Sequence, residues 1–504
     1  MKIYQSRIKF FLAILISSSF IFINSLTAQS KENTIIPDTP AGKQLNDWLR
    51  VFASGNQDEF VGFIAQRYSK SLLEQDTAID RAGGQARTYL HARSFDIRSI
   101  EKSTAQEITV LAQSSLTGLW NRLTMKVEEQ SPYAITGYTS QRIHPPAGFP
   151  QRKLSERELV KEIKAFMNKL TAVDAFSGTL LVAKDGKPIY KTVHGMASKA
   201  YNIRNRIDTK LNLASIGKTF TAVAILQLVE HGKLSLNDTV GKILPDYPNK
   251  QAAAKVTIHH LLTHTSGMGD MHGPKYAARA SSLRQVRDYL PLFVDDPLSF
   301  EPGARMQYSN AGYILLGAVI EKVSGENFFD YVRDHIFKPA GMIDTDYYEK
   351  DLDIPNLAAG YTNWIERGED YQDFVLGQRR SNYGGIKGSP QGGAYSTIDD
   401  LLRFSLALRG YKLLSAASVD LMTTKKVFFR TYAADDTYYG YGLELENIDG
   451  KHVIGHTGGD LGVSSALEWF PDSGNYTVVV LSNYDRGGII AIDKLKDLII
   501  QSQK

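Results

Sequence analysis

The sequence predicts an α+β protein built as two units, and three observations carry that reading. Amphipathic helices precede alternating strands between about residues 38 and 143. A proline-rich stretch, HPPAGFP at residues 144–150, interrupts the pattern. Beyond it, strand patterns stand at both ends of a long segment whose middle is mostly helices and loops. The chain has 504 residues, enough for more than one core, and its 43% hydrophobic and 22% charged residues indicate a globular protein.

Taken in order, the first thirty residues place Lys2, Arg7 and Lys9 before an apolar run from Phe10, with small residues near Ala28. That is the pattern of a secretory signal, residues 1–28, cleaved near Ala28. Ser17, Ser18, Ser19 and Asn24 interrupt the run, which favours a cleaved signal over a retained anchor. The expected location is therefore exported, periplasmic or extracellular, with no integral membrane segment after signal removal. Lys2, Arg7 and Lys9 supply three of the four net positive charges, so the remainder is close to neutral and no nucleic-acid partner is indicated. The absence of cysteine excludes disulfides, thiol nucleophiles and thiolate metal sites.

After Asp38-Thr39-Pro40, a helix start, Leu45, Trp48, Leu49 and Phe52 recur at helical spacing, and Phe60, Phe63 and Ile64 continue it past Gly55-Asn56. From Phe95 to Ile143 the period changes to two, so that Leu123, Met125 and Val127 share one strand face. This small α+β unit, residues 38–143, resembles the cone-shaped nuclear-transport-factor-like domains in its helix-then-sheet order. A linker over 144–152 follows, and the second unit spans 153–504. Ser155 and Glu158 form a capping box before Leu159, Ile163, Phe166 and Leu170. SGTLLVAKDGKPIYKTV then reads as a hairpin turning at Asp185-Gly186. KHVIGHTGG, SSALEWFPDSG and NYTVVVLSN read as three more strands, and Ile489 to Ile500 as a final helix.

Ser-x-x-Lys occurs three times, at Ser6–Lys9, Ser99–Lys102 and Ser215–Lys218, so spacing alone identifies nothing. A capping serine beside a solvated lysine explains any one of them. Behind Ser215, however, Ala222, Ile225, Leu226 and Val229 form an apolar stripe ending near Gly232, which sets Ser215 at the first turn of a buried helix. On a helix, i and i+3 side chains are neighbours. A serine hydroxyl needs a base, and burial lowers a lysine pKa towards that role. Two further stretches carry suitable groups: MQYSNAGYILLGAVIEKVSG with Tyr308 and Asn310, and HVIGHTGGDLG with His456, Thr457 and Gly458. A phenol can relay a proton and a carboxamide can orient a substrate amide.

In this order and with these flanks, including FEPGARMQYSNAGY and GGAYSTIDDLLRF, the three motifs resemble those of a serine hydrolase superfamily. Its members are the class C β-lactamases, the D-alanyl-D-alanine carboxypeptidases and the family VIII esterases. The resemblance spans about residues 172 to 502. It implies a β-lactamase/transpeptidase-like fold, in which the terminal strands join one antiparallel sheet flanked by helices. It also implies Ser215 as nucleophile, Lys218 and Tyr308 as the proton-transfer pair, and Asn310 as a substrate-side donor. His456, Thr457 and Gly458 would form the strand edge facing the substrate, and the backbone N–H groups of Ser215 and Gly459 the oxyanion site. No metal and no organic cofactor is implied.

His456 stands where β-lactam-hydrolysing members mostly carry Lys. With an ordinary pKa near 6.5 it would face the substrate only partly charged, which favours ester or D-amino-acid peptide substrates over β-lactams. The expected activity is an acyl-enzyme serine hydrolase acting on a small-molecule or peptide substrate. The alternatives are a β-lactamase or penicillin-binding carboxypeptidase, a sensor that is acylated without turnover, and an adaptor working through residues 40–143. Nothing in the sequence specifies an oligomer.

His260 and His264 stand at i and i+4 on an expected helix, but the glutamate of the zinc-protease motif is missing between them. Gly-x-Ser-x-Gly, the elbow of the α/β-hydrolases, is absent. Tyr347, Tyr348, Tyr361, Trp364, Tyr371, Phe374 and Tyr383 form an aromatic set that either walls the cleft or packs beneath a long loop. Gly392 and Gly393 would let that loop approach the site closely.

Overall fold

The computed structural model describes residues 34–502 apart from 147, 150–151, 367–371, 382–383 and 433–434. The expected signal, Tyr371 and Tyr383 lie outside the described residues, as does the side chain of Phe374.

The first unit has four helices, α1 (Pro40–Ser54), α2 (Gln57–Arg67), α3 (Lys70–Gln75) and α4 (Ala78–Ala92), followed by strands β1 (Phe95–Ser103), β2 (Glu107–Ser114), β3 (Trp120–Val127) and β4 (Ile135–Arg142). The helices start where the chain supplies caps. Thr39 accepts from the Gly42 N–H with Pro40 behind it, and Thr77 and Asp80 form a capping box. The strands pair in sequence order as an antiparallel meander. Leu123, Met125 and Val127 are buried together with Trp48, Phe52 and Phe60, so the period-two reading holds at this face.

The next helix, α5 (Glu156–Ala172), is capped as expected, with Glu158 N–H donating to Ser155 Oγ and Ser155 N–H to the Glu158 carboxylate. Strands β5 (Gly178–Lys184) and β6 (Lys187–His194) meet at Asp185 and Gly186, both with positive φ. Beyond them come α6 (Gly217–Glu230), α7 (Asn310–Ser324), the hairpin β7 (Tyr361–Glu366) and β8 (Gln372–Arg380), and α8 (Ile398–Arg409). Six strands follow: β9 (Val427–Tyr432), β10 (Asp435–Tyr439), β11 (Glu444–Ile448), β12 (Lys451–Asp460), β13 (Val463–Phe470) and β14 (Tyr476–Ser482). The chain then enters α9 (Gly487–Gln501).

β9 to β14 continue into β5 and β6 as one eight-stranded antiparallel sheet, so the two ends of the second unit meet at β14–β5. The central strands β5, β13 and β14 are buried on both faces, and their side chains sort by parity. Leu180, Val182, Val478 and Val480 pack under α5 and α9, while Leu181, Ala183, Val479 and Leu481 face the core around α6.

Two readings change. α6 is buried almost all round from Gly217 to Leu228, rather than along one stripe, because it runs through the centre of the helical core. β9, β10 and β11 carry no clear alternation in sequence, and β9 is mostly exposed although Val427, Phe428 and Phe429 open it, so pairing with β10 rather than pattern holds it in place.

Candidate active site

Ser215 lies in a single 3-10 turn, Ala214–Ile216, that runs directly into α6. Ala214 has φ +43°, a left-handed conformation held by its N–H on Asn212 Oδ1 at 2.8 Å and by Gly393 N–H on its carbonyl at 3.1 Å. Two other segments approach this turn through glycine. A Cβ on Gly392 would lie 2.4 Å from the Ala214 carbonyl oxygen, and one on Gly458 would lie 2.3 Å from the Leu213 oxygen. Ser465 Oγ also donates to the Leu213 carbonyl at 2.7 Å, so β12 and β13 are fastened to the head of the helix.

One turn on, Lys218 is fully buried and its ammonium reaches three acceptors: Ser215 Oγ at 3.2 Å, Asn310 Oδ1 at 2.8 Å and the Gln391 carbonyl at 2.7 Å. Its Nζ stands 4.8 Å from the Tyr308 ring centre. Burial, only partly opposed by Asp270, brings its pKa down to about 7. The Tyr308 ring lies against the Lys218 ammonium, and burial raises its pKa far above the ordinary tyrosine value, with the nearby Ser215 hydroxyl opposing the shift, so it stays protonated. The neutral amine available near pH 7 is therefore Lys218.

Asn310 opens α7 behind its cap Ser309. Its Nδ2 donates to Asp270 Oδ2 at 2.9 Å while its oxygen receives Lys218. Asp270 also accepts from the N–H and ring nitrogen of His272. Burial works against the Asp270 charge, yet these bonds outweigh it and hold its carboxyl at about 2. Asp270 has no sequence signal, because it stands alone in the loop SGMGDMHGP.

His264 also gains a place. The helix Ile258–Leu262 ends before it, so the expected i, i+4 pairing with His260 does not form. His264 instead has φ +57°, stacks on Tyr308 at 4.2 Å and accepts the Ser309 N–H at 3.0 Å, which steadies the Tyr308-Asn310 segment.

Ser215, Asn310 and Gly459 line a cleft of about 210 Å³, together with His272, Tyr395 and Gly392. Of the aromatic set, the members with described side chains, Tyr347, Tyr348, Tyr361 and Trp364, do not line the cleft. Tyr347 packs on Phe328, Phe329 and Phe337, Tyr361 is buried, and Trp364 is covered by Arg87. Among the described residues, the tyrosines lining the cleft are Tyr276, Tyr289 and Tyr395.

The third motif corrects one expectation. His456 does not face the cleft: it is 2% exposed, with Nε2 on the Tyr439 hydroxyl at 2.9 Å and Nδ1 on the Thr457 carbonyl at 2.5 Å. Burial, against the attraction of Glu444, lowers its pKa to about 4, so it is neutral throughout the neutral range. Thr457 likewise donates its hydroxyl to Glu444 at 2.8 Å, with its N–H on the same carboxylate at 3.3 Å. Arg430 holds the other oxygen of Glu444 at 2.7 Å.

β11 pairs with β12 only from Lys451 to Gly455, so among the described residues the edge beyond carries no ladder on that side. The Thr457 N–H points to Glu444 on this open side, and strand alternation turns the Gly459 N–H the same way. Gly459 itself is exposed, with open space where a side chain would stand.

This sheet and serine-headed helix define a serine hydrolase of the β-lactamase/transpeptidase fold. A Beta-lactamase family model matches residues 163–495, and the chain belongs to that family. It is 33% identical over 336 residues to penicillin-binding protein 4* of Bacillus subtilis (strain 168), covering 64% of this chain and 71% of the relative. It is 31% identical over 255 residues to esterase EstB of Burkholderia gladioli, covering 45% of this chain and 64% of the relative. The crystal structure of a penicillin binding protein from Bacillus halodurans superposes with TM-score 0.57 at 34% identity, covering 69% of this chain and 99% of that one.

Proposed function

We propose that this protein is an exported hydrolase that cleaves ester or amide substrates, as an esterase or a D-amino-acid peptidase, through an acyl-enzyme on Ser215. The observation that carries this reading is the fully buried Lys218 amine 3.2 Å from Ser215 Oγ, with its pKa brought down to about 7. The neutral amine withdraws the Ser215 proton, with the neutral Tyr308 phenol as relay. The Ser215 oxygen then attacks the carbonyl, and the N–H groups of Ser215 and Gly459 stabilise the oxyanion. Collapse breaks the bond to the leaving group, which takes the proton back through Tyr308. Water, deprotonated by the same pair, releases the acyl group. Asn310 has a second N–H beyond the one given to Asp270, and that hydrogen serves the substrate.

The substrate preference rests on the third motif. His456 supplies no cation to the cleft, which supports ester and peptide substrates over carboxylate-anchored β-lactams. The name of EstB is consistent with the ester side, whereas that of penicillin-binding protein 4* is consistent with the alternative of a penicillin-binding protein. Export is supported by the pattern of residues 1–28, and no helix among the described residues is long and apolar enough to cross a membrane. The division into units at 144–152 is supported by the end of β4 at Arg142 and the start of α5 at Glu156.

The test is a fluorophosphonate label followed by p-nitrophenyl ester turnover. Ser215→Ala should abolish both while the protein still melts cooperatively. Undiminished turnover in that variant removes Ser215 from the chemistry.

A further inference from the structure

The cleft is closed at its oxyanion end by two backbone segments pressed together. Gly462, with φ +80°, turns the chain from β12 into β13, three residues after Gly459. Against it lies Gly360, at the entry to β7, where a Cβ would stand 2.7 Å from the Gly462 carbonyl oxygen. Both glycines line the cleft. Backbone contact of this kind is close but supplies no direction, so something else has to fix the register of the two walls.

Asp485, just past β14, does so. One carboxylate oxygen accepts the Gly462 N–H. The other accepts the Thr362 hydroxyl and the Asn363 N–H, each at 2.8 Å. All three partners are donors, so an ionised carboxylate satisfies them and a carboxamide cannot. The neighbouring residues anchor the same place. Tyr361 N–H donates to the Asn483 carbonyl at 2.8 Å, and the Asn483 amide holds the Ala359 carbonyl at 2.7 Å. Arg486 donates to His91 of the first unit, at 3.1 and 2.6 Å, so the segment is braced from behind as well.

We propose that Asp485 is a positioning residue for the oxyanion site: its carboxylate locks the Gly462 turn to the β7 wall and so fixes where the Gly459 N–H points. The proposal rests on the reading of Ser215 and Gly459 given above. An oxyanion donor acts through placement made before the reaction, so loosening its turn weakens transition-state binding more than substrate binding.

The experiment compares wild type with Asp485→Asn, Asp485→Glu and Thr362→Val. The readouts are p-nitrophenyl acetate kinetics, inhibition by phenylboronic acid as an oxyanion probe, and hydrogen exchange of the peptide spanning 458–464. In Asp485→Asn one oxygen can still take the hairpin donors, but the amide group cannot accept from Gly462. The expected result is a kcat at least about tenfold lower with KM changed less than about threefold, a fraction of the loss seen when an oxyanion donor is removed. Boronate affinity should fall in step, and exchange should quicken at 458–464. Asp485→Glu keeps the charge but moves it by one methylene and should show the same split to a smaller degree. Thr362→Val leaves the Gly462 bond in place and should lose less than about threefold in kcat.

Wild-type kcat and boronate affinity in a folded Asp485→Asn overturn the proposal; if that variant does not fold, the same result in Asp485→Glu does so. A parallel rise in KM without loss of kcat also overturns it, since that pattern belongs to a substrate contact. If wild-type protein takes no label at Ser215, the site reading itself fails and the proposal falls with it. Normal Ser215 labelling alongside unaffected Asp485 variants removes the clamp alone.

Discussion

At the residue scale the decisive group is Lys218, because its charge state controls both chemistry and stability. Its pKa of about 7 in the folded chain stands against an ordinary lysine value near 10.4 when unfolded. The neutral amine grows as pH rises, so the rate of Ser215 labelling should climb through a midpoint near pH 7 and level off above pH 8. The linkage has the same sign. Between about 7 and 10.4 the unfolded chain binds a proton that the folded chain has shed, so this group makes the protein more stable as pH rises across that window. Lys218→Met should therefore be inactive yet raise Tm relative to wild type at pH 6, with the advantage shrinking towards pH 9. Melting curves of both proteins at the two pH values check this; an advantage that grows with pH would contradict the burial account. His456 contributes no such step, since it is already neutral above about pH 5.

At the element scale the site depends on how closely three pieces of backbone meet. Gly458 on β12 passes the Leu213 carbonyl with no room for a Cβ, and that contact seats the third-motif strand against the nucleophile turn. Gly458→Ala needs no left-handed φ, so its cost is the clash of a Cβ 2.3 Å from the Leu213 carbonyl oxygen and 2.4 Å from Ser465 Oγ. The expected outcome is a shift of β12 away from Ser215 and a loss of kcat/KM of at least about a hundredfold, since small misplacements of reacting groups are that costly. Far-UV circular dichroism should stay close to wild type. Full activity in Gly458→Ala would mean that the strand and the helix head are not coupled.

At the scale of the whole molecule the first unit is bonded to the second rather than tethered to it. Ala86, Leu90 and Leu116 join a core formed by α5 and α9, including Ile163, Leu495 and Ile499. His91 and Arg142 both stand 4.0 Å from the buried Asp493, and His144 pairs with Asp435 at 2.7 Å. Removing residues 34–150 uncovers this surface, at a cost of a few kcal/mol for the apolar side chains alone. A fragment spanning 151–504 should still take the fluorophosphonate label, because Ser215, Lys218, Tyr308 and Gly459 all lie within it. It should melt more than about 5 °C below the full chain. Equal melting temperatures would show that the contact adds no stability. A folded fragment that takes no label would show that the first unit completes the cleft.

Local order determined much of this protein before any tertiary contact. The spacing of Ser215 and Lys218 on one helix turn, the capping box at Ser155 and Glu158, the hairpin at Asp185-Gly186 and the strand parity of Leu123, Met125 and Val127 are all set by neighbours in sequence. Their geometry follows from 3.6- and 2-residue periods. The family resemblance placed Tyr308, Asn310 and the third motif beside them. What the periods could not supply is the partner that arrives from far away. Asn310 and Gln391 reach Lys218 across 92 and 173 residues, Asp270 reaches Asn310 across 40, and Asp485 reaches Thr362 across 123. The side chain of His456 shows the difference most plainly. Its residue type suggested a half-charged group facing substrate, but charge depends on burial, and burial depends on which strands and loops close over it. Tyr439 and Glu444 do so here, and only the folded chain brings them there.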